Sequence, residues 1–271
     1  MRTRTKLRYR VITAVFLAVL ILPLLIILVW SFARNWPWPD LFPRSFTLRG
    51  WDYFLDPRSR SITTLLYSVI LSATAAGLTL LLTFPAAKAL AHYSFPFRKA
   101  IEIFLFLPVI VPTMSVAMGI HVEFLKLGLA NTFIGVVLIH LIPCIPYSLR
   151  ILTSVFSLIG TGMESQARVL GATRLQTLRH VVLPMMLPGM VSAFSMSFIV
   201  SFSQYFLTAL IGGGSIITFP MLMFPFIQSG DRTMGSVYSF VFILTALIFL
   251  LIFEGVTRKF YSSKLKEYHY I

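Results

Sequence analysis

The sequence has 271 residues, of which 57% are hydrophobic and only 12% are charged, and its mean hydropathy is +0.85. Soluble domains carry about 25% charged residues, so this composition excludes an ordinary soluble enzyme and indicates a membrane protein. The net charge of +14 would also suit a nucleic-acid-binding protein. However, the basic residues lie between apolar runs, which favours contact with membrane lipid and predicts no nucleic-acid partner.

Six apolar stretches are long enough to cross a bilayer, which requires about 20 apolar residues. The first, at 11–33, exceeds the roughly 7–15-residue apolar core of a signal peptide, so we predict that it is retained as a transmembrane helix. The sequence therefore predicts an all-α membrane protein with six transmembrane helices. The other five predicted spans are 62–91, 101–125, 132–159, 184–211 and 235–257.

The distribution of Lys and Arg predicts the orientation of these helices. With the N-terminus placed inside, most basic residues fall on the inner side, and the positive-inside rule then places both termini in the cytoplasm. The predicted organisation is a basic N-terminus at 1–10, a first helix at 11–33, an outer loop at 34–61, a five-helix core at 62–257 and a cytoplasmic C-terminus at 258–271.

Prolines interrupt several predicted spans, and each removes a helical hydrogen bond and kinks its helix. The freed backbone groups need partners in the protein or along a water-lined path, which suits a transporter. The acids Glu102, Glu123 and Glu254 all fall near span ends. An ion-driven carrier would usually hold a charged relay at the bilayer centre, so the energy source is predicted to lie outside this chain. The prolines are Pro85, Pro108, Pro112, Pro143 and Pro146.

A second set of polar residues could line a substrate path. Ser197, Ser201 and either Gln204 or Tyr205 recur at helical spacing in the fifth span and would share one face. The same serines would also serve simple helix packing. His140, in the fourth span, is either a path residue or a hydrogen-bonded packing residue.

The segment 163–190 is polar and basic, although apolar spans flank it. Its residues Leu175, Leu178 and Val182 predict an apolar stripe that packs against the spans. Ala167 and Gly171, four residues apart, would form a small-residue face open to another protein. The alternative is an amphipathic helix that lies on the inner leaflet.

This segment resembles the EAA loop of permease subunits of bacterial ABC importers, whose pattern is Glu-Ala-Ala, three residues, Gly, nine residues, Ile, one residue and Leu-Pro. Here Gly171 is followed by nine residues and then by Val181, Val182, Leu183 and Pro184. The first half departs from the pattern, because Ser165-Gln166-Ala167 stands at the Glu-Ala-Ala positions and Glu164 lies one residue early.

Two further segments resemble the same family. "FLPVIVPTMSVAMGI" is similar to its third span, and "HLIPCIPYSLRIL", which holds Tyr147 and Arg150, is similar to its fourth. Leu-Gly-Ala at 170–172 is most similar to the polyamine, ferric iron and thiamine branch. That branch often reads Ser-Phe-Asp-Glu-Phe in the fifth span, whereas this chain reads Ser-Phe-Ser-Gln-Tyr at 201–205. Because carboxylates favour the passage of an organic cation, their loss disfavours a polyamine and leaves a neutral or anionic solute open.

The resemblance implies the type I importer permease fold, located in the bacterial inner membrane, with a cytoplasmic coupling helix in the loop 160–184. It also implies an ATP-binding subunit dimer, a second permease, which in this branch is commonly a different chain, and a periplasmic or lipid-anchored solute-binding protein. The implied coupling residues are Glu164, Ser165, Ala167, Arg168, Gly171, Ala172, Leu183 and Pro184. The residues proposed for the path are His140, Tyr147, Ser197, Ser201, Gln204 and Tyr205.

The energy source and the alternatives follow from motifs that the sequence lacks. No Gly-x4-Gly-Lys-Ser/Thr pattern occurs, so ATP and magnesium are expected to bind a partner subunit, and this chain is expected to bind no cofactor and to catalyse no reaction. The alternative function is an ion-coupled secondary transporter. An intramembrane enzyme is disfavoured because the histidines are scattered and no His-Glu-x-x-His spacing exists.

Overall fold

The computed structural model describes residues 2–36, 40–111 and 113–267. Nearly all of this chain is helical, as expected of a chain in lipid, where every backbone polar group needs an internal partner. A short antiparallel ribbon of β1 (Ala33–Asn35) and β2 (Ser45–Phe46) is the one addition to the predicted all-α fold within these residues. The helices are α1 (Arg2–Trp30), α2 (Arg49–Leu55), α3 (Ser61–His92), α4 (Arg98–Ile110), α5 (Thr113–Lys126), α6 (Phe133–Ile159), α7 (Gly162–Val169), α8 (Arg174–Thr177), α9 (Leu183–Phe202), α10 (Phe206–Gly212), α11 (Phe219–Gln228) and α12 (Arg232–Glu267).

Five helices in the described chain are long and apolar enough to cross a membrane, and a bent pair of helices makes up to six. The five are Ile12–Trp30, Ser61–His92, Phe133–Ile159, Arg174–Phe202 and Arg232–Val256. The predicted third span, 101–125, is the exception, because α4 and α5 are bent by more than 40° at a short break.

The break between α4 and α5 has a local cause in the sequence. Val111 precedes a proline, and the residue before proline is forced out of the helical region. Accordingly, Val111 adopts an extended conformation with ψ 135° and ends α4. Pro112, which we predicted to kink this span, lies outside the described residues.

The chain divides into two compact units, and the first comprises Met1–Leu65 and Phe219–Thr245. Its core is aromatic: Phe219 stacks on Tyr238, and Phe54 meets both rings edge-on. The Tyr238 hydroxyl lies 2.5 Å from Ser61 Oγ, which satisfies a buried polar group. Gly50 permits close packing here, because a Cβ at this position would lie 2.8 Å from the Val237 side chain.

The second unit comprises Leu66–Thr218 and Ala246–Ile271. Helix α6 is its centre and packs most extensively against α9. Gly189 on α9 allows this approach, since a Cβ there would lie 3.0–3.2 Å from the side chain of Val155 on α6. Leu152 and Phe156 of α6, which are fully or almost fully buried, complete a core between α3, α6 and α9.

Candidate functional site

The fifth span is broken within the second unit. We predicted a continuous helix over 184–211, but α9 ends at Phe202, residues 203–205 are not helical, and α10 begins at Phe206. Gln204 and Tyr205 therefore do not continue the helical face of Ser197 and Ser201. The prediction that they share this face is wrong. Instead, both residues lie in the break, where their side chains are partly buried.

His140 of α6 joins the two sides of this break. Its Nδ1 lies 2.8 Å from Ser201 Oγ at the end of α9, and its Nε2 lies 3.0 Å from Thr208 Oγ1 on α10. A neutral imidazole has one donor and one acceptor nitrogen, and a hydroxyl can serve as either partner. The ring is completely buried and fully hydrogen-bonded, which is the geometry of the packing interpretation. Thr208 also donates to the Gln204 carbonyl at 2.9 Å, so the contact reaches the break itself.

Sequence reasoning missed Thr208, although one signal was available. It is the single polar residue in the apolar segment "FLTALIG" that forms α10, and buried polar residues in lipid need a partner.

Two of the other predicted path residues, Ser197 and Tyr147, do not take part in the hydrogen bonds around His140. Ser197 is buried; its carbonyl accepts a hydrogen bond from the Cys144 thiol at 3.3 Å, while its own hydroxyl has no partner among the described residues. Tyr147 is 40% exposed and makes no hydrogen bond with the cluster in the described structure. The structure thus unites His140 with Ser201, places Gln204 and Tyr205 in the adjacent break, and leaves Tyr147 apart.

The loop 160–184, in which we predicted a coupling helix, contains two short helices, α7 and α8. Helix α7 ends at Val169, and Gly171 adopts a left-handed conformation with φ +88°. Its N–H donates to the Arg168 carbonyl at 3.0 Å, and the Ala172 N–H donates to the Ala167 carbonyl at 3.0 Å. This bonding pattern is the Schellman motif, which ends helices at a glycine. Gly171 therefore terminates α7, and the small-residue helix face with Ala167 is not formed.

The chain then turns into a second helical segment. Thr173 and Gln176 form a capping box that begins α8, in which each side chain accepts from the other residue's backbone N–H. A single π-turn, Leu178–Val182, connects α8 to α9. Pro184 explains this turn, because its ring has no N–H and would clash with the carbonyl four residues earlier in a regular helix.

The turn between α7 and α8 presents apolar side chains to the outside. Val169 and Leu170 are each 87% exposed, and Leu175, which we predicted to pack inward, is 73% exposed. Leu178 and Val182 pack inward as predicted, and Thr177 is buried beside them. The remaining predicted coupling residues are exposed at Ser165, Arg168 and Gly171 and half-buried at Ala167, Ala172, Leu183 and Pro184.

Glu164 faces into the protein. Its carboxylate lies 2.8 Å from Lys88 Nζ on α3 and 3.8 Å from Arg168 Nη2, and only 12% of its side chain is exposed. This ion pair joins α7 to a transmembrane helix 76 residues away in sequence. A carboxylate held in this way anchors the loop from beneath, whereas Val169, Leu170 and Leu175 form the outer surface of the loop.

The described chain thus combines multiple apolar spans, two of the predicted ones interrupted, with a short exposed helical loop. The chain belongs to the family described as binding-protein-dependent transport system inner membrane component, whose sequence pattern matches residues 79–263. It is thus a multi-pass permease subunit of an ABC importer, and the resemblance seen in the sequence is confirmed.

Named relatives and solved structures agree with this assignment. A 2-aminoethylphosphonate transport system permease protein, PhnV, of Salmonella paratyphi A is 27% identical over 92% of this chain and 93% of the relative. A spermidine/putrescine permease protein, PotC, of Haemophilus influenzae is 25% identical over 89% and 93%. A bacterial ABC transporter that imports alginate shares the fold, with TM-score 0.68 and 17% identity over 95% of this chain and 96% of that one.

Proposed function

We propose that this chain forms half of a translocation path for a small solute and that an ATPase dimer drives it by binding the loop 160–184. A second permease completes the path, and a solute-binding protein delivers the solute from outside. The catalytic site, with ATP and magnesium, belongs to the ATPase. The observation that carries this proposal is the exposed turn of Val169 and Leu170 on a loop that is anchored to a transmembrane helix.

Exposed apolar side chains on a polar loop favour a protein partner. Burying a Val or Leu side chain is worth about 1.5–3 kcal/mol, and α7, α8 and the turn between them leave Val169, Leu170 and Leu175 largely uncovered. The cationic Arg168 and Arg174 beside them are exposed as well, which suits a groove with acidic rims. Because Glu164 pairs with Lys88, a displacement of the loop is passed directly to α3.

The solute class is proposed from the break in the fifth span. Ser203 and Gln204 stand at the positions of the two acids common in the polyamine branch, and the neighbouring His140 is bonded to hydroxyl groups. A polycation gains from carboxylates along a low-dielectric path, and the break at 203–205 contains none. We therefore favour a neutral, zwitterionic or anionic solute, of which the 2-aminoethylphosphonate named for PhnV is one example.

The docking proposal is tested by co-purification of the tagged chain from membranes in mild detergent. The natural chain should retain an ATPase and a second permease. The double variant Val169→Asp/Leu170→Asp should lose the ATPase and keep the permease. A matched control is Leu127→Asp, which changes a 69% exposed leucine in a different loop. Retention of the ATPase by the double variant would overturn the docking role of the loop.

The driving force and the solute class need a transport assay. Cells that carry the complete importer should take up 2-aminoethylphosphonate. An excess of a neutral or anionic solute that shares the path should reduce this uptake, whereas an excess of putrescine should not. Putrescine transport would refute the solute class while leaving the docking result intact. Uptake by the purified chain alone under a proton or sodium gradient would instead support a secondary transporter.

A further inference from the structure

A polar pocket lies in the first unit, at the end of α1 and the start of α12. It has a volume of about 260 Å³. Its lining combines basic residues with two indole rings, and its main members are Trp30, Arg34, Trp36, Arg49, Asp231 and Arg232. None of these residues belongs to the loop 160–184 or to the broken span.

The pocket carries an excess of positive charge. Three arginines line it against a single aspartate. Asp231 is already engaged by Arg49, whose Nη2 lies 2.6 and 2.8 Å from its two oxygens. Arg34 is exposed and makes no ion pair within the described residues. Two guanidinium charges therefore remain without a carboxylate partner, which favours binding of an anion.

The position of Arg232 is fixed by the indole side of the pocket. Its Cζ lies 5.6 Å from the centre of the Trp30 ring, within the range of a cation–π contact, and its Nη1 donates to the Trp36 carbonyl at 3.4 Å. The Trp30 and Trp36 rings meet edge to face at 5.8 Å. Such contacts hold the guanidinium in place and reduce the entropy that a ligand must overcome on binding.

The hydrogen-bond donors of the open volume are the arginine side chains. Trp30 Nε1 is buried and has no hydrogen-bond partner among the described residues, so it does not face the open volume, and Trp30 contributes its ring to the wall. Arginine forks are donors without acceptor capacity, so the matching ligand is rich in acceptor oxygens.

We propose that this pocket binds a phosphate- or phosphonate-class oxyanion. Guanidinium groups bind such groups through paired hydrogen bonds, and here the two without a carboxylate partner in the described chain come from separate positions, Arg34 and Arg232, beside the Arg49–Asp231 pair. Trp30 ends one membrane-spanning helix and Arg232 begins another, which places the pocket at the level of the lipid headgroups. The oxyanion is thus either the phosphate of an anionic lipid or a free anion from the surrounding water.

Binding is tested on the full-length chain alone, so the result does not depend on the ATPase or on transport. The chain is placed in nanodiscs that contain phosphatidylcholine and phosphatidylglycerol. It is then released from them in a native mass spectrometer, and the mass of the complex gives the number of phosphatidylglycerol molecules retained. Arg34→Gln/Arg232→Gln should lower this occupancy at least about tenfold, as expected for loss of charge-assisted hydrogen bonds. The control, Arg58→Gln/Arg60→Gln, removes the same charge from outside the pocket and should leave it unchanged.

The source of the oxyanion is decided by competition. If added inorganic phosphate displaces the retained lipid at millimolar concentration, the site serves a free oxyanion; if it does not, the site serves the lipid. Arg34→Gln alone should weaken binding without affecting the fold, because Arg34 is exposed and makes no ion pair among the described residues. Equal losses in the pocket and control variants would overturn the proposal. The proposal would also be overturned if a pocket variant kept its lipid and phosphate binding but no longer bound the solute-binding protein. That result would indicate a protein-docking surface.

Discussion

The cluster around His140 and the turn at Val169–Leu170 are opposites. In the cluster, polar groups are completely buried, and His140, Ser201 and Thr208 satisfy one another. In the turn, two apolar side chains are 87% exposed. A buried polar group is tolerated when it is paired, whereas exposed apolar surface is left for a partner. The contacts of the cluster are made within this chain, whereas the turn is the surface that we propose for docking of the ATPase.

The underside of the loop sharpens this contrast. Glu164 and Lys88 make an ion pair that is largely covered, with 12% and 23% of their side chains exposed. The loop thus has a charged contact inward and an apolar surface outward. The substitutions below test this arrangement of charged contacts inside and apolar surface outside, starting with the largest expected effect.

Breaking the covered ion pair should have the largest effect on stability. Lys88→Met leaves Glu164 without its nearest partner, and removing one member of a buried pair costs about 3–5 kcal/mol. Because Arg168 remains 3.8 Å away and water reaches part of the site, we expect about 2–3 kcal/mol. The measurement is denaturant unfolding in detergent, combined with ATPase retention.

A double variant provides the control for this pair. In Lys88→Met/Glu164→Gln the uncompensated charge is gone, so most of the lost stability should return. If the double variant is as unstable as the single one, the packing of the lysine stem rather than its charge holds the loop.

His140→Leu should be the next most damaging change. It keeps an apolar side chain of comparable size but removes both hydrogen bonds, and a buried group without its partner costs about 1–3 kcal/mol. Thr208 retains its bond to the Gln204 carbonyl, so the expected loss is about 2 kcal/mol. Thermal unfolding should show it, and His180→Leu, at an exposed position, should change stability little.

Transport separates a structural role of His140 from a role in the path. If the break at 203–205 is positioned by His140, the maximal uptake rate should fall more than the apparent affinity for the solute. His140→Gln, which keeps a donor and an acceptor, should recover part of that rate. Full activity in His140→Leu would show that the break keeps its geometry without this contact.

Gly171→Ala should have a smaller effect, and one confined to the loop. The left-handed conformation costs an L-residue about 1–2 kcal/mol, while a Cβ at this position would meet nothing within 4 Å. The loss is therefore conformational rather than steric. ATPase retention should fall, and Gly171→Asn should be milder because asparagine tolerates this conformation.

Gly162→Ala is the matched control for that change. Gly162 lies at the start of α7, also has open space around its Cβ position, and has no positive φ. It should behave like the natural chain. Equal damage by both substitutions would mean that the loop is sensitive to any added methyl group, not to the turn geometry.

The smallest effect is expected for the exposed ion pair of the outer segment. The hydrogen bond from Arg44 lowers the pKa of Asp40 below its ordinary value. A carboxyl group with a lowered pKa contributes stability above its unfolded pKa, near 3.9, and that contribution disappears as the pH falls through the folded value. Arg44 is exposed and Asp40 is partly exposed, so salt should screen the pair. Asp40→Asn should leave the unfolding temperature nearly unchanged at neutral pH, which a thermal scan would check.

Hydropathy predicted most of the fold, because the bilayer dictates both the length and the composition of a span. The α4–α5 break had a visible signal in Val111 and the proline that follows it. The break at 203–205 had none: the segment contains neither glycine nor proline. Its partner His140 is 61 residues from Ser201 and 68 from Thr208, and such distant pairing cannot be deduced from local spacing.

The loop was predicted in position but not in detail. Gly171 was recognised from its motif, yet a helix-ending role requires knowledge of its φ angle. Likewise, Glu164 was identified only as an acid one residue early in the motif, because its partner Lys88 lies 76 residues away in sequence. The apolar pair Val169–Leu170 was passed over, although two large apolar residues among polar neighbours are a signal that local inspection can use.

Helix α1 differs from the other spans in one respect: none of its membrane-spanning window is buried within the chain. Such a segment gains little from burial against the other described helices of this chain, and an apolar helix of this length can enter lipid independently, as in the first stage of membrane protein folding. It can enter the bilayer as soon as it leaves the ribosome, before the helices of the second unit have been synthesised. The basic residues that precede it would then set the topology of the growing chain early in biosynthesis.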